Sequence, residues 1–150
     1  MAEVIEHVSD PERVLREVFR VLMPGGGVYL SVPNRYGWYD PHYHAYFVNW
    51  LPRFLAHPFL RLINKEKNLE ESDGAGMQRL DTMHYYTYGG ISHLVRSIGF
   101  TAIDIRKQKI RAMRISKWRR MFYACVYPLV RPVYFDTFHV GLIKKDAPSV

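Results

Sequence analysis

The chain has 150 residues, enough for one domain with a real core, and its hydrophobic share of 48% is normal for a soluble protein. A single cysteine, Cys125, excludes an internal disulfide and fits a reducing compartment. The formal charge of +7 leaves an anionic surface or nucleic acid open as partners.

At the N-terminus, residues 1–5 read as the end of a buried strand. Ser9 and Glu12 are spaced as a capping box, Asp10 is an alternative cap, and Pro11 falls in the first turn, where its missing donor costs nothing. Val14, Leu15, Val18, Phe19 and Leu22 then form one apolar stripe of a surface helix, with Glu12, Arg13, Arg16, Glu17 and Arg20 largely opposite. Pro24 ends it. Gly25, Gly26 and Gly27 turn into a strand over 28–32, apolar enough for a central position. This is an αβ crossover of a parallel sheet, and such units carry ligand sites at the strand ends.

After Asn34 the pattern changes to aromatic and histidine-rich sequence, with a helix expected near 53–65 and a polar, mobile link over 66–76. Thr87 caps the next helix, whose Ile91, Leu94, Val95 and Ile98 repeat at helical spacing before Gly99 closes it. A strand is expected over 100–107. Residues 108–130 read as a basic amphipathic helix broken at Pro128 and Pro132, and 138–144 as a last strand. The tail 146–150 is expected to be disordered. No signal sequence opens the chain, and its longest apolar run, 122–130, is far short of the roughly 20 residues of a spanning helix, so a cytoplasmic protein, peripheral to a membrane at most, is expected.

Three stretches together resemble class I S-adenosylmethionine-dependent methyltransferases of the type 11 kind: Val4-Ile5-Glu6-His7-Val8 with Asp10-Pro11, Arg20-Val21-Leu22 with Pro24-Gly25-Gly26, and Val32-Pro33-Asn34. The stretch from His84-Tyr85-Tyr86-Thr87 to Gly99-Phe100 resembles the family's next helix and strand. The resemblance implies an α/β fold: the C-terminal half of a Rossmann-like sheet, about four strands with the last antiparallel, and a large aromatic insertion or lid at 35–79. One partial methyltransferase domain would then span 1–145. It also implies S-adenosylmethionine as cofactor and methyl transfer to a small-molecule, sugar or lipid-linked acceptor. The family's glycine-rich cofactor loop has no counterpart, because Gly25 to Gly27 leave a helix and enter a strand. The chain therefore reads as truncated, with an open sheet edge that invites a separate N-terminal half or self-association.

Within that frame Glu6 and His7, after the first strand, are the cofactor-side candidates. His42 and His44 are candidate general bases; Arg35, Tyr43 and His84 are candidate acceptor contacts. The His-x-His pair lacks the companions of a zinc motif, so no metal is assigned. Eight basic residues over 106–120, uninterrupted by an acid, suggest a non-catalytic alternative, a module docking on an anionic membrane or a partner; nucleic acid is the weaker version.

Overall fold

The computed structural model describes residues 4–65 and 83–145. A three-stranded sheet of order β1-β5-β4 carries the fold, formed by β1 (Gly27–Pro33), β4 (Phe100–Asp104) and β5 (Thr137–Lys144). β5 lies antiparallel to both neighbours, so β1 and β4 point the same way with the last strand between them. The small hairpin of β2 (Tyr39–Asp40) and β3 (Ala45–Tyr46) lies in the stretch after β1, and the helix expected near 53–65 follows as α2 (Arg53–Leu62). The fold is mixed α/β, with the expected antiparallel last strand.

Two helices cover one face of this sheet. Helix α1 (Pro11–Val21) is capped by Asp10, whose Oδ1 accepts from Arg13 N at 2.9 Å. The alternative cap is thus the one used, and Glu12 instead pairs with Arg16 across one turn. Helix α3 (Tyr88–Ile98) starts at Thr87, whose hydroxyl accepts from Gly90 N. Leu15 from α1 and Ile91, Val95 and Ile98 from α3 meet Leu30 and Val32 of β1, Phe100 of β4, and Phe138, Val140 and Leu142 of β5. The alternation along each strand sends every second side chain to this face, and each full burial contributes about 1.5–3 kcal/mol.

Several expectations are corrected here. Val4 and Ile5 form no strand; Ile5 is fully buried in the core but sits in a turn, so the expected four strands of one sheet are three among the described residues. β1 pairs along its length only with β5 among the described residues, an edge rather than a central place, and its parallel contact is the single bridge from Asn34 to Tyr86. The strand expected over 100–107 stops at Asp104, because the Asp104 side chain accepts from Lys107 N and caps α4 (Ile105–Ala112). The single basic helix is two: a break before Ser116 separates α4 from α5 (Lys117–Tyr134). Pro128 and Pro132 lie inside α5 without ending it. The helix is held from outside instead, since Tyr127 OH donates to Asp104 at 2.9 and 3.0 Å, Arg131 Nη1 to the same carboxylate at 3.0 Å, and Asn34 Nδ2 to the Pro132 and Phe135 carbonyls. The link 66–76 and the tail 146–150 lie outside the described residues.

Two predictions follow from this packing. Tyr127→Phe should cost about 1.5 kcal/mol and Asp104→Ala roughly 3 kcal/mol, because the latter leaves Arg131 and a hydroxyl part-buried without a partner; urea unfolding of both variants checks the ranking. Gly99 ends α3 at φ +116°, and a Cβ there would stand 2.9 Å from the Phe19 ring. Gly99→Ala should therefore lose about 2 kcal/mol, read from the same unfolding curves.

Candidate functional site

The polar centre of the molecule forms where the N-terminal turn meets the end of β1. His84 N donates to the Glu6 carbonyl at 2.9 Å, Tyr86 N to the Pro33 carbonyl at 3.0 Å, and Arg35 N to the Tyr86 carbonyl at 2.8 Å. This lacing fixes Glu6 and His7 beside the C-terminal end of β1, the edge at which open α/β sheets take ligands.

The segment after β1 brings the remaining groups. Asp40, fully buried, accepts from His42 N at 2.8 Å and Tyr43 N at 3.0 Å on Oδ1, and from the Tyr85 hydroxyl on Oδ2. Burial alone would raise its pKa, but the hydrogen bonds from His42, Tyr85 and Tyr43 and the His42 charge outweigh it and hold the carboxyl below its usual range. The turn it makes aims His42 back: Nδ1 stands 3.7 Å from Asp40 Oδ1, and the ring meets His7 edge-on with centroids 5.7 Å apart. Glu6, His7 and His42 each offer a ligand atom, and these lie within 4.8 Å of one another. Glu6 is 1% exposed, and its Oε2 has no hydrogen-bond partner. The nearby Tyr86 hydroxyl is pushed up to about 12, by burial and then by the Glu6 charge.

Of the residues singled out in the sequence, Glu6, His7 and His42 come together, with His84 beside them through its backbone. The others go elsewhere. His44 is exposed, its Nδ1 2.9 Å from the Tyr39 hydroxyl and its carbonyl accepting from Lys65 Nζ. Arg35 Nη2 donates to the Leu51 carbonyl at 3.2 Å, and Tyr43 is buried in a second apolar cluster with Ala45, Val48, Ala56, Leu60 and Met83. Asp40 and Tyr85 were missed. The Asp40-Pro41 pair carried the signal, since an Asx side chain before proline favours a turn bonded to its own backbone. The metal question also shifts, because His42 pairs with Glu6 and His7 rather than with His44, and the three could hold a cation.

Buried and half-buried polar groups thus converge at the strand ends of a mixed α/β fold, the place where open sheets of this class take ligands. A family model described as a methyltransferase domain matches residues 1–105, and the chain belongs to the S-adenosylmethionine-dependent methyltransferases of class I. A ubiquinone biosynthesis O-methyltransferase of Pseudomonas savastanoi pv. phaseolicola is 30% identical over 114 residues, covering 64% of this chain and 47% of the relative. A relative from Mycolicibacterium smegmatis, named Probable S-adenosylmethionine-dependent methyltransferase, is 30% identical over 137 residues, covering 89% and 48%. A solved complex between the Haloferax volcanii Trm112 methyltransferase activator and a methyltransferase overlays with a TM-score of 0.42 at 18% identity, covering 96% of this chain and 52% of that one. The chain spans about half the length of the curated relatives it matches.

The family implies S-adenosylmethionine, and the described residues do not form its glycine cradle. Gly25 N is bonded to the Lys144 carbonyl and Gly26 N to the Met23 carbonyl, each at 2.9 Å, so the amides such a cradle would offer are already used. No described strand passes through a glycine-rich turn into a helix.

Two outcomes check this geometry. The stability Asp40 contributes is present above its unfolded pKa near 3.8 and is lost as pH falls through its lower folded value, so Asp40→Asn should be destabilised near neutrality and should approach the unmutated chain in acid. Glu6→Gln should raise the unfolding midpoint, because it removes a buried carboxylate charge with one oxygen unbonded.

Proposed function

We propose that Glu6, His7, Asp40 and His42 form the acceptor side of an O-methyltransferase centre. The observation that carries this reading is the meeting of His42, brought by the segment after β1, with Glu6 and His7 of the turn before α1, with Asp40 behind His42. S-adenosylmethionine supplies an activated methyl group when bound, and the protein's share of such chemistry is alignment plus removal of the acceptor's proton. His42 is suited to that second task. With Nδ1 toward the buried carboxylate of Asp40, the imidazole can take up a hydroxyl proton, and Asp40 stabilises the imidazolium that forms. Relatives named ubiquinone biosynthesis O-methyltransferases support a hydroxylated ring as acceptor, and the exposed Trp38, Tyr46, Phe47 and Trp50 of the segment after β1 offer faces for one. The described part of the 35–79 segment, residues 35–65, would then wall the acceptor site.

A second reading is favoured by the unbonded Glu6 Oε2: the same three side chains would hold a divalent cation that binds the acceptor oxygen directly. Calorimetric titration with Mn²⁺ or Zn²⁺ separates the two readings, since only the second expects binding that His42→Ala removes.

The proposal is tested by methyl transfer from S-adenosylmethionine to a hydroxylated aromatic acceptor. His42→Gln should lower kcat by roughly a hundredfold or more, while His44→Gln should stay near the unmutated rate. Equal losses in the two variants, or a greater loss in His44→Gln, would remove the assignment.

A further inference from the structure

From Ile105 to Phe135 the chain carries nine basic residues and no acid, so the remainder of a chain with net charge +7 is slightly negative in sum. Arg106, Lys107, Lys109, Arg111, Arg114, Lys117, Arg119 and Arg120 crowd α4, the break and the start of α5. The net positive charge of the chain is thus carried by one element pair.

Helix α5 is also turned inside out relative to α1 and α3. Tyr127 is its buried residue, and Tyr127 and Arg131 fasten it to Asp104 by polar bonds. On the opposite side Trp118, Met121, Phe122, Cys125, Leu129 and Val133 recur at three- and four-residue spacing, which is one helical face. That face looks into solvent: Trp118 and Leu129 are each 78% exposed and Phe122 62%. At 18 residues α5 is about 27 Å long. No helix among the described residues is long and apolar enough to cross a membrane.

We propose that α5 lies in the plane of an anionic lipid surface, its apolar face seated among the acyl chains and the basic residues of α4 and the α5 start on the phospholipid headgroups. Three physical terms agree. The apolar stripe gains by leaving water, long basic side chains at its border reach to phosphate, and a segment without acids meets no repulsion from an anionic leaflet. The helix is an interfacial one by composition, a broad apolar face flanked by Lys and Arg with an aromatic residue near its start. A partner protein would need a groove both apolar and acid-lined along the same length. A bilayer supplies both without a specific shape.

Co-sedimentation with phosphatidylcholine vesicles, with and without phosphatidylglycerol, tests this. The chain should pellet with the anionic vesicles and hardly at all with the zwitterionic ones. Combined Arg114→Glu, Lys117→Glu and Arg119→Glu should weaken that binding by roughly a hundredfold. Combined Trp118→Ser and Phe122→Ser should weaken it without altering the circular dichroism, since both side chains are exposed. Cys125, the single cysteine, is exposed on the same face. An environment-sensitive fluorophore attached there should shift to the blue on anionic vesicles. Absence of pelleting, equal pelleting with both vesicles, or an unmoved fluorophore would overturn the proposal. Self-association that Phe122→Ser abolishes, without vesicle binding, would overturn it in favour of a second copy of the chain.

Discussion

The buried carboxylate of Asp40 is the constraint on which the site depends. A charge taken fully out of water is costly, and Asp40 is retained because two backbone amides and the Tyr85 hydroxyl are aimed at it. Those bonds do more than satisfy it. They close the turn that reverses the chain at Pro41, seat Tyr43 in the second apolar cluster and leave His42 facing Glu6 and His7. Tyr85 comes from the segment that also laces the N-terminal turn to β1, so one carboxylate ties three parts of the chain that are far apart in sequence.

Asp104 does similar work at the other side of the sheet, with a different result. It ends β4, caps α4 and receives Tyr127 and Arg131, so α5 is attached by polar contacts rather than by an apolar face. Arg131 adds a stack on Tyr88, its guanidinium carbon 3.5 Å from the ring centroid. Because attachment uses the polar side of α5, its apolar side is left outward. The exposed aromatic stripe is therefore a consequence of how the helix is anchored.

Local chemistry makes much of the scaffold legible in the sequence. The cap at Thr87, the close of α3 at Gly99, the stripe of α1 and the apolar run of the last strand are each decided by neighbours a few residues away. What escaped depends on distant partners. The place of Ile5 is set by a core that α3 and β5 complete, so a turn residue looked like a strand residue. The stop at Asp104 was hidden because Ile103 and Ile105 continue a strand pattern through it. Pro128 and Pro132 looked like breaks because sequence shows the lost helix bonds and not the Asn34 amide that supports the helix end. In the candidate site, Glu6, His7 and His42 were legible as chemistry-bearing types, but only the fold could separate His42 from His44. Two residues along one loop, they face different neighbours, one toward Asp40 and the other toward Tyr39.

The central claim is that the turn before α1 and the segment after β1 build one centre. A double-mutant cycle on unfolding free energy, with His7→Ala, His42→Ala and the pair, measures that contact without reference to any acceptor or cofactor. The two edge-packed rings should couple by at least about 0.5 kcal/mol. Additivity within about 0.3 kcal/mol would contradict it, because the two histidines would then belong to separate surfaces.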